Sequence, residues 1–198
     1  MNLNTHTKHI PCLITIFGAT GDLSHRKLFP SLFHLYQQDN LDDHIAIIGV
    51  GRRDYTNDFF REQVKQSIQT HVKDTDRLDE FIEHVFYFKN DVNEEESYHE
   101  LLAFSNELDD TFKLEGNRLF YLAMAPQFFG PISDYLKASG LTETKGFKRL
   151  VIEKPFGSDF KSAEKLNNQL RQSFKEEEIY RIDHYLGKDM VQNIEVLR

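Results

Sequence analysis

A dense group of ionisable and hydroxyl side chains lies near the end of this sequence, in the segment Arg181-Ile182-Asp183-His184-Tyr185-Leu186-Gly187-Lys188. We predict that a strand ends here, that Leu186-Gly187 breaks it, and that a helix begins near Lys188. His184, Tyr185 and Lys188 can then converge at the helix N-terminus. Two potential cations, a hydroxyl and free backbone N–H groups suit a phosphomonoester dianion.

Asp183 requires a different explanation, because a carboxylate at a phosphate site weakens phosphate binding. A carboxylate can instead orient a histidine and stabilise its protonated form. The structural alternative is that Asp183 pairs with Arg181 and that His184 is a satisfied core histidine. So many chemically active groups at the carboxyl end of a strand favour the functional interpretation.

A glycine turn, Gly18-Ala19-Thr20-Gly21-Asp22-Leu23-Ser24, follows the first apolar run of the sequence. Glycine lets the backbone turn tightly and approach a pyrophosphate, whose charge the N–H groups at a helix start can bind. The spacing is G-x-x-G, whereas the usual dinucleotide fingerprint is G-x-G-x-x-G, so a plain turn is the alternative. Its position directly after the first strand favours a coenzyme turn.

Two arginines follow the second apolar run, in Gly51-Arg52-Arg53. Enzymes that use NAD place an acidic residue there to bind the ribose 2′-hydroxyl. Arginine forms bidentate bonds with phosphate, so the 2′-phosphate of NADP is the better fit. A solvated basic loop is the alternative for Arg53, and Asp54 leaves NAD open.

Two further strand ends carry candidate residues. Asp91-Val92 follows the third strand and lies on the same ligand edge, although an acidic loop residue is usually only solvated. Lys154 ends the fifth strand, which in such a fold lies beside the nicotinamide half of the coenzyme. A residue before proline is held extended, and the Lys154-Pro155 bond in a tight turn can be cis. The structural alternative is a simple strand-ending turn.

Apolar runs alternate with helical periodicity along the whole chain, which indicates the α/β class. Six strands alternating with helices predict a doubly wound parallel sheet of the Rossmann type. We expect residues 1–12 to be a flexible N-terminal tail and residues 13–198 to be one dinucleotide-binding domain. Thr56 and Ser158 are the expected N-caps of the helices predicted near 60–72 and 160–174. The predicted strands are 13–17, 45–50, 85–88, 119–124, 150–152 and 179–185, and the predicted helices lie near 28–36, 60–72, 98–108, 127–138 and 160–174.

Composition narrows the function classes. The chain has 198 residues and a net charge of −8, which argues against nucleic acid or an anionic membrane as the main partner. Cys12 is the only cysteine, so no internal disulfide can form and a reducing cytosol fits. No apolar run reaches membrane-spanning length and the start is no signal peptide, so we expect a cytoplasmic protein.

Three segments together resemble the glucose-6-phosphate dehydrogenase family of the bacterial type: FGATGDLSHRKLFPSLFHLY, EKPFG and RIDHYLGKDMVQNI. The resemblance covers about Ile14 to Arg198. Asp189 stands where the family usually has Glu, and Ala125-Pro126 where many members have Pro-Pro.

The resemblance implies roles for individual residues. Lys154 would lie between coenzyme and sugar, His184, Tyr185 and Lys188 would hold the sugar 6-phosphate, and Asp183 would be the partner of the catalytic base. Arg52 would bind the 2′-phosphate of NADP. The coenzyme site would comprise Gly18, Ala19, Thr20, Gly21, Asp22, Leu23, Arg52, Asp91, Val92 and Lys154.

The implied reaction is oxidation of glucose 6-phosphate at C1 to 6-phosphogluconolactone, with hydride transfer to NADP, in the pentose phosphate pathway. In this family the general base is a histidine in a second, larger α+β domain, which also supplies the interface of a homo-oligomer. We expect this chain to be the coenzyme domain without that larger domain, and to be catalytically deficient by itself.

Two other functions stay open. Glu153-Lys154-Pro155 also resembles the glucose–fructose oxidoreductase family, which uses NAD(P) on unphosphorylated sugars, although His184 and Lys188 argue against it. A non-catalytic NADP-binding module is the second alternative. A short-chain dehydrogenase is disfavoured because Tyr185 and Lys188 are three residues apart, whereas that class uses Tyr-x-x-x-Lys.

Overall fold

Six apolar segments form one parallel sheet in the computed structural model, which describes residues 10–41, 43–157 and 159–183. The strand order is β3-β2-β1-β4-β5-β6, so the chain reverses direction across the sheet between β1 and β4. This is the predicted doubly wound order. The strands are β1 (Cys12–Phe17), β2 (Ile45–Gly51), β3 (Val85–Lys89), β4 (Arg118–Leu122), β5 (Lys148–Glu153) and β6 (Ile179–Ile182).

Two central strands, β2 and β4, are buried throughout because helices cover both faces of the sheet there. All seven residues of β2 and all five of β4 are buried. Alternation between apolar and polar residues, which marks a strand with one wet face, is therefore absent. Edge strand β3 does alternate between buried and half-buried side chains.

Six α-helices are described, and they divide between the two faces of the sheet. The first three pack through their buried residues on one face, and the last three pack on the other. A π-helical turn, Ser24–Leu28, leads directly into the first helix. The helices are α1 (Phe29–Gln37), α2 (Asn57–His71), α3 (Leu78–Glu83), α4 (Glu95–Phe112), α5 (Phe129–Ala138) and α6 (Phe160–Leu170). None of these helices is long and apolar enough to cross a membrane.

Several predicted boundaries differ from the structure. Cys12, assigned to the tail, is the first residue of β1, and β6 ends at Ile182 although the prediction extended it to Tyr185. The N-cap of α6 is Asp159, not Ser158, because its carboxylate accepts the backbone N–H of Ser162 at 2.8 Å. Short helix α3 was not predicted. His184, Tyr185, Lys188 and the expected helix after them lie outside the described residues.

Thr56 caps α2 as predicted, and this cap generates the first test. Its hydroxyl accepts the backbone N–H of Phe59 at 3.2 Å. We expect Thr56→Ala to lower the free energy of unfolding by about 1 kcal/mol, measured by urea denaturation. Thr56→Ser keeps the hydroxyl acceptor and should change the free energy of unfolding by only roughly a few tenths of a kcal/mol.

The matched control lies in the same helix. The hydroxyl of Thr70 donates to the carbonyl of Gln66 at 2.8 Å, a bond inside the helix that does not cap its end. Thr70→Ala should therefore be neutral or slightly stabilising. Equal losses from Thr56→Ala and Thr70→Ala would show that the Thr56 cap is not the source of the effect.

Candidate functional site

The carboxyl ends of all six strands meet at one edge of the sheet, because every pair of neighbouring strands is parallel. The glycine turn follows β1, Arg52 follows β2, and Asp91 follows β3. Lys154 and Asp183 follow β5 and β6. The structure therefore brings the described candidate residues to the edge at which doubly wound sheets bind ligands.

The glycine turn is fixed by backbone hydrogen bonds that continue the sheet past β1. The N–H groups of Gly18 and Ala19 both donate to the carbonyl of Val50, at 3.0 and 3.1 Å. Gly18 has a φ of +83°, and a Cβ there would lie 2.4 Å from the carbonyl oxygen of Ala123. Only glycine fits this position.

The start of the helical region is held by the same turn. The hydroxyl of Ser24 donates to the carbonyl of Gly18 at 3.1 Å, and the N–H of Gly21 donates to the same carbonyl at 3.0 Å. Gly21 and Asp22 are exposed at the tip of the turn. A helix start presents N–H groups without intrahelical partners, which makes this tip suitable for an anionic group.

The two arginines after β2 differ in what they contact. Arg53 donates from Nη1 to the hydroxyl of Tyr55 at 2.7 Å, which directs its guanidinium along the loop. Arg52 is exposed and makes no hydrogen bond or ion pair within residues 10–41, 43–157 and 159–183. Asp54 pairs with Lys89 at 3.0 Å. Arg52 is therefore the arginine whose guanidinium can accept an anionic ligand without losing a partner.

Asp91 and Val92 belong to an ordered turn after β3. The carboxylate of Asp91 accepts two bonds from Asn93, one from the backbone N–H at 3.0 Å and one from Nδ2 at 2.9 Å. The carbonyl of Val92 accepts the hydroxyl of Tyr98 at 3.0 Å. These bonds give the Asp91 side chain a local structural role, which does not by itself require a ligand.

Lys154 and Asp183 form an ion pair across the ends of β5 and β6. The distance from Lys154 Nζ to Asp183 Oδ2 is 2.6 Å, and the two side chains are 54% and 32% exposed. The Lys154-Pro155 peptide is cis. Asp183 is thus paired with Lys154, while Arg181, its alternative partner, donates to Glu176 and Asn167.

One pair at this edge was not predicted from the sequence. The hydroxyl of Tyr121, on β4, donates to the carboxylate of Glu153 at the end of β5. Burial and the neighbouring carboxylate both raise the pKa of Tyr121, so its hydroxyl stays protonated. The sequence does hold a signal for this pair, because Glu153 is an acidic residue at the end of an apolar strand, directly before Lys154.

Known proteins are similar to this chain in sequence and fold. The model of the family "Glucose-6-phosphate dehydrogenase, NAD binding domain" matches residues 15–193. The glucose-6-phosphate 1-dehydrogenase of Bacillus subtilis (strain 168) is 52% identical over 186 residues, which are 94% of this chain and 38% of that protein. The enzyme of Leuconostoc mesenteroides is 46% identical over 96% of this chain and 39% of its own length.

A solved structure agrees with these relatives. A glucose-6-phosphate dehydrogenase in complex with its substrate glucose-6-phosphate is 40% identical to this chain and superposes with a TM-score of 0.82. The match covers 96% of this chain and 40% of that one. This chain thus spans about two fifths of the length of the proteins that it matches. Sequence and fold together show that the chain belongs to the glucose-6-phosphate dehydrogenase family and corresponds to its NAD binding domain.

Proposed function

We propose that this chain is the coenzyme-binding part of a glucose-6-phosphate dehydrogenase and that it binds NADP at the carboxyl edge of its sheet. The observation that carries the proposal is the exposed guanidinium of Arg52, without a partner in the described part of the chain, beside the glycine turn at Gly18–Gly21. An anion-binding helix start and a phosphate-binding arginine at neighbouring strand ends match a dinucleotide that carries a 2′-phosphate.

The residues present fit NADP better than NAD. A 2′-phosphate placed at Arg52 would receive charge-assisted bonds from a group that has no competing acceptor among the described residues. The acidic residue nearby, Asp54, is the partner of Lys89. The ribose 2′-hydroxyl of NAD would therefore compete with Lys89 for the Asp54 carboxylate.

Lys154 and Asp183 are the proposed contribution of this chain to the sugar side. Bound NADP supplies the hydride acceptor. Lys154 extends from the strand end nearest the nicotinamide half of such a coenzyme, and its ammonium can donate to sugar oxygens near C1. Asp183 would orient a histidine base and stabilise its imidazolium form as the C1 hydroxyl loses its proton.

This proposal requires the Lys154–Asp183 ion pair to open or to share its charge when the sugar binds. At 54% exposure the Lys154 side chain can turn towards a ligand with little loss of solvation. His184, Tyr185 and Lys188 are proposed to hold the sugar 6-phosphate. In the family that the chain belongs to, the base is expected in the part of the protein that this chain does not span.

The first test of the proposed function is Arg52→Ala. Removing a charge-assisted bond to phosphate typically costs about 1.5–3 kcal/mol, so we expect the Kd for NADP to rise by roughly 10- to 100-fold. The Kd for NAD should change less than about twofold, because NAD has no 2′-phosphate. Calorimetric titration of both coenzymes measures the two values.

Arg53→Ala is the matched control for that experiment. Arg53 has the same charge and the neighbouring position, but its guanidinium is directed to Tyr55. It should therefore weaken NADP binding much less than Arg52→Ala. A larger effect at Arg53, or equal losses for NAD and NADP at Arg52, would contradict the assignment of Arg52.

The second test is turnover by the chain itself. We expect the purified chain to bind NADP. We expect it to reduce NADP with glucose 6-phosphate about 10²- to 10⁴-fold more slowly than the Leuconostoc mesenteroides enzyme, because loss of a general base lowers the rate by this factor. Absorbance of NADPH follows the reaction. Comparable turnover would contradict the proposed division of the active site and show that this chain contains its own base.

A further inference from the structure

The hydroxyl of Tyr87, on β3, contacts the backbone on both sides of Arg52. It lies 2.9 Å from the carbonyl oxygen of Gly51 and 2.7 Å from the carbonyl oxygen of Arg53. A phenolic hydroxyl has one proton, which the two carbonyls share. One buried side chain therefore contacts the peptide group directly before Arg52 and the carbonyl of the residue directly after it.

Tyr87 is itself firmly placed. Its side chain is 9% exposed and its ring centroid lies 4.8 Å from that of Phe60 and 5.6 Å from that of Tyr55. Its backbone N–H donates to Oδ1 of Asn57 at 2.9 Å. Burial raises the pKa of Tyr87 to about 12, so the hydroxyl remains a donor at neutral pH.

The Arg52 loop has other backbone bonds, but none of them fixes both sides of Arg52. The N–H of Asn90 donates to the carbonyl of Gly51 at 2.9 Å, and the N–H of Tyr55 donates to the carbonyl of Arg53 at 3.0 Å. The Arg52 side chain is exposed and has no partner in the described part of the chain. The backbone therefore sets the direction in which this side chain leaves the loop.

We propose that Tyr87 is a positioning residue that makes the coenzyme site selective for NADP over NAD, by fixing the backbone on either side of Arg52. The assignment rests on the proposed function, in which Arg52 binds the 2′-phosphate. A planar guanidinium binds phosphate through two parallel bonds only in a narrow range of orientations. A backbone that is already fixed around Arg52 also leaves less conformational entropy to lose when the phosphate binds.

Tyr87→Phe tests this directly, because it removes the hydroxyl and keeps the ring. The Kd values for NADP and NAD are measured by calorimetry on the wild-type chain and on the variant. We expect the Kd for NADP to rise by about fivefold and the Kd for NAD to change less than about twofold, as expected for loss of one hydrogen bond that acts through Arg52. The readout is the selectivity ratio, the Kd for NAD divided by the Kd for NADP. General loosening of the fold would weaken the binding of both coenzymes and leave this ratio unchanged.

Tyr36→Phe is the matched control. Tyr36 is another buried tyrosine, 1% exposed, and its hydroxyl lies 3.5 Å from His84, just before the amino end of β3. This variant removes a buried tyrosine hydroxyl far from the Arg52 loop, so the ratio should stay at the wild-type value. A double variant, Arg52→Ala with Tyr87→Phe, should bind NADP as Arg52→Ala does, because the hydroxyl acts through that arginine.

An unchanged ratio in Tyr87→Phe, or equal losses for both coenzymes, overturns the assignment. If the Tyr87→Phe chain does not fold, Gly51→Ala tests the same contact, because a Cβ there would lie 3.1 Å from the Tyr87 hydroxyl, which must then shift by a few tenths of an ångström. Gly51→Ala should also lower the ratio, and an unchanged ratio again overturns the assignment. A wild-type chain without preference for NADP refutes the proposed function and this inference together, whereas a preference that survives both variants refutes only the role of Tyr87.

Discussion

The pairing of β1 with two strands from different parts of the chain is the constraint on which the structure depends. Phe17 at the end of β1 is in register with Val50 on one side and with Leu122 on the other. The N–H of Gly18 and the carbonyl of Phe17 continue the two ladders beyond the strand. Strands β2 and β3 are added on one side of β1, and β4, β5 and β6 on the other. This reversal leaves a crevice at the carboxyl ends of the strands. The turn that follows β1 lies in that crevice and begins with Gly18, because the neighbouring backbone of Ala123 leaves no room there for a side chain.

Much of the fold could be predicted from the sequence, because strands buried on both faces leave long apolar runs and helices leave a period of about 3.6 residues. Helix α3 was missed since its six residues are too few to show a period. The π-helical turn at Ser24–Leu28 was missed for another reason: such turns are rare, and five residues show no period that separates them from an α-helix. The cap at Asp159 differs from the prediction by one residue, the usual size of a boundary error.

The candidate site was predictable in its location but less so in its contacts. Parallel strands bring residues that are far apart in sequence to the same edge, so Arg52 and Lys154 could be assigned there from the order of the elements alone. Which side chains pair across that edge depends on register and rotamer. The ion pair from Lys154 to Asp183 and the two contacts of the Tyr87 hydroxyl depend on register and rotamer in this way. The periodicity of the sequence therefore does not predict them.

The central claim is that NADP binds at the carboxyl edge of this sheet with its 2′-phosphate at Arg52. The most direct measurement is the perturbation of backbone amide resonances in the ¹⁵N-labelled chain on titration with NADP and with NAD. We expect both coenzymes to shift the amides of residues 18–23, and only NADP to shift those of Arg52 and Arg53 strongly. Equal shifts at Arg52 with both coenzymes, or shifts confined to residues away from this edge, would contradict it.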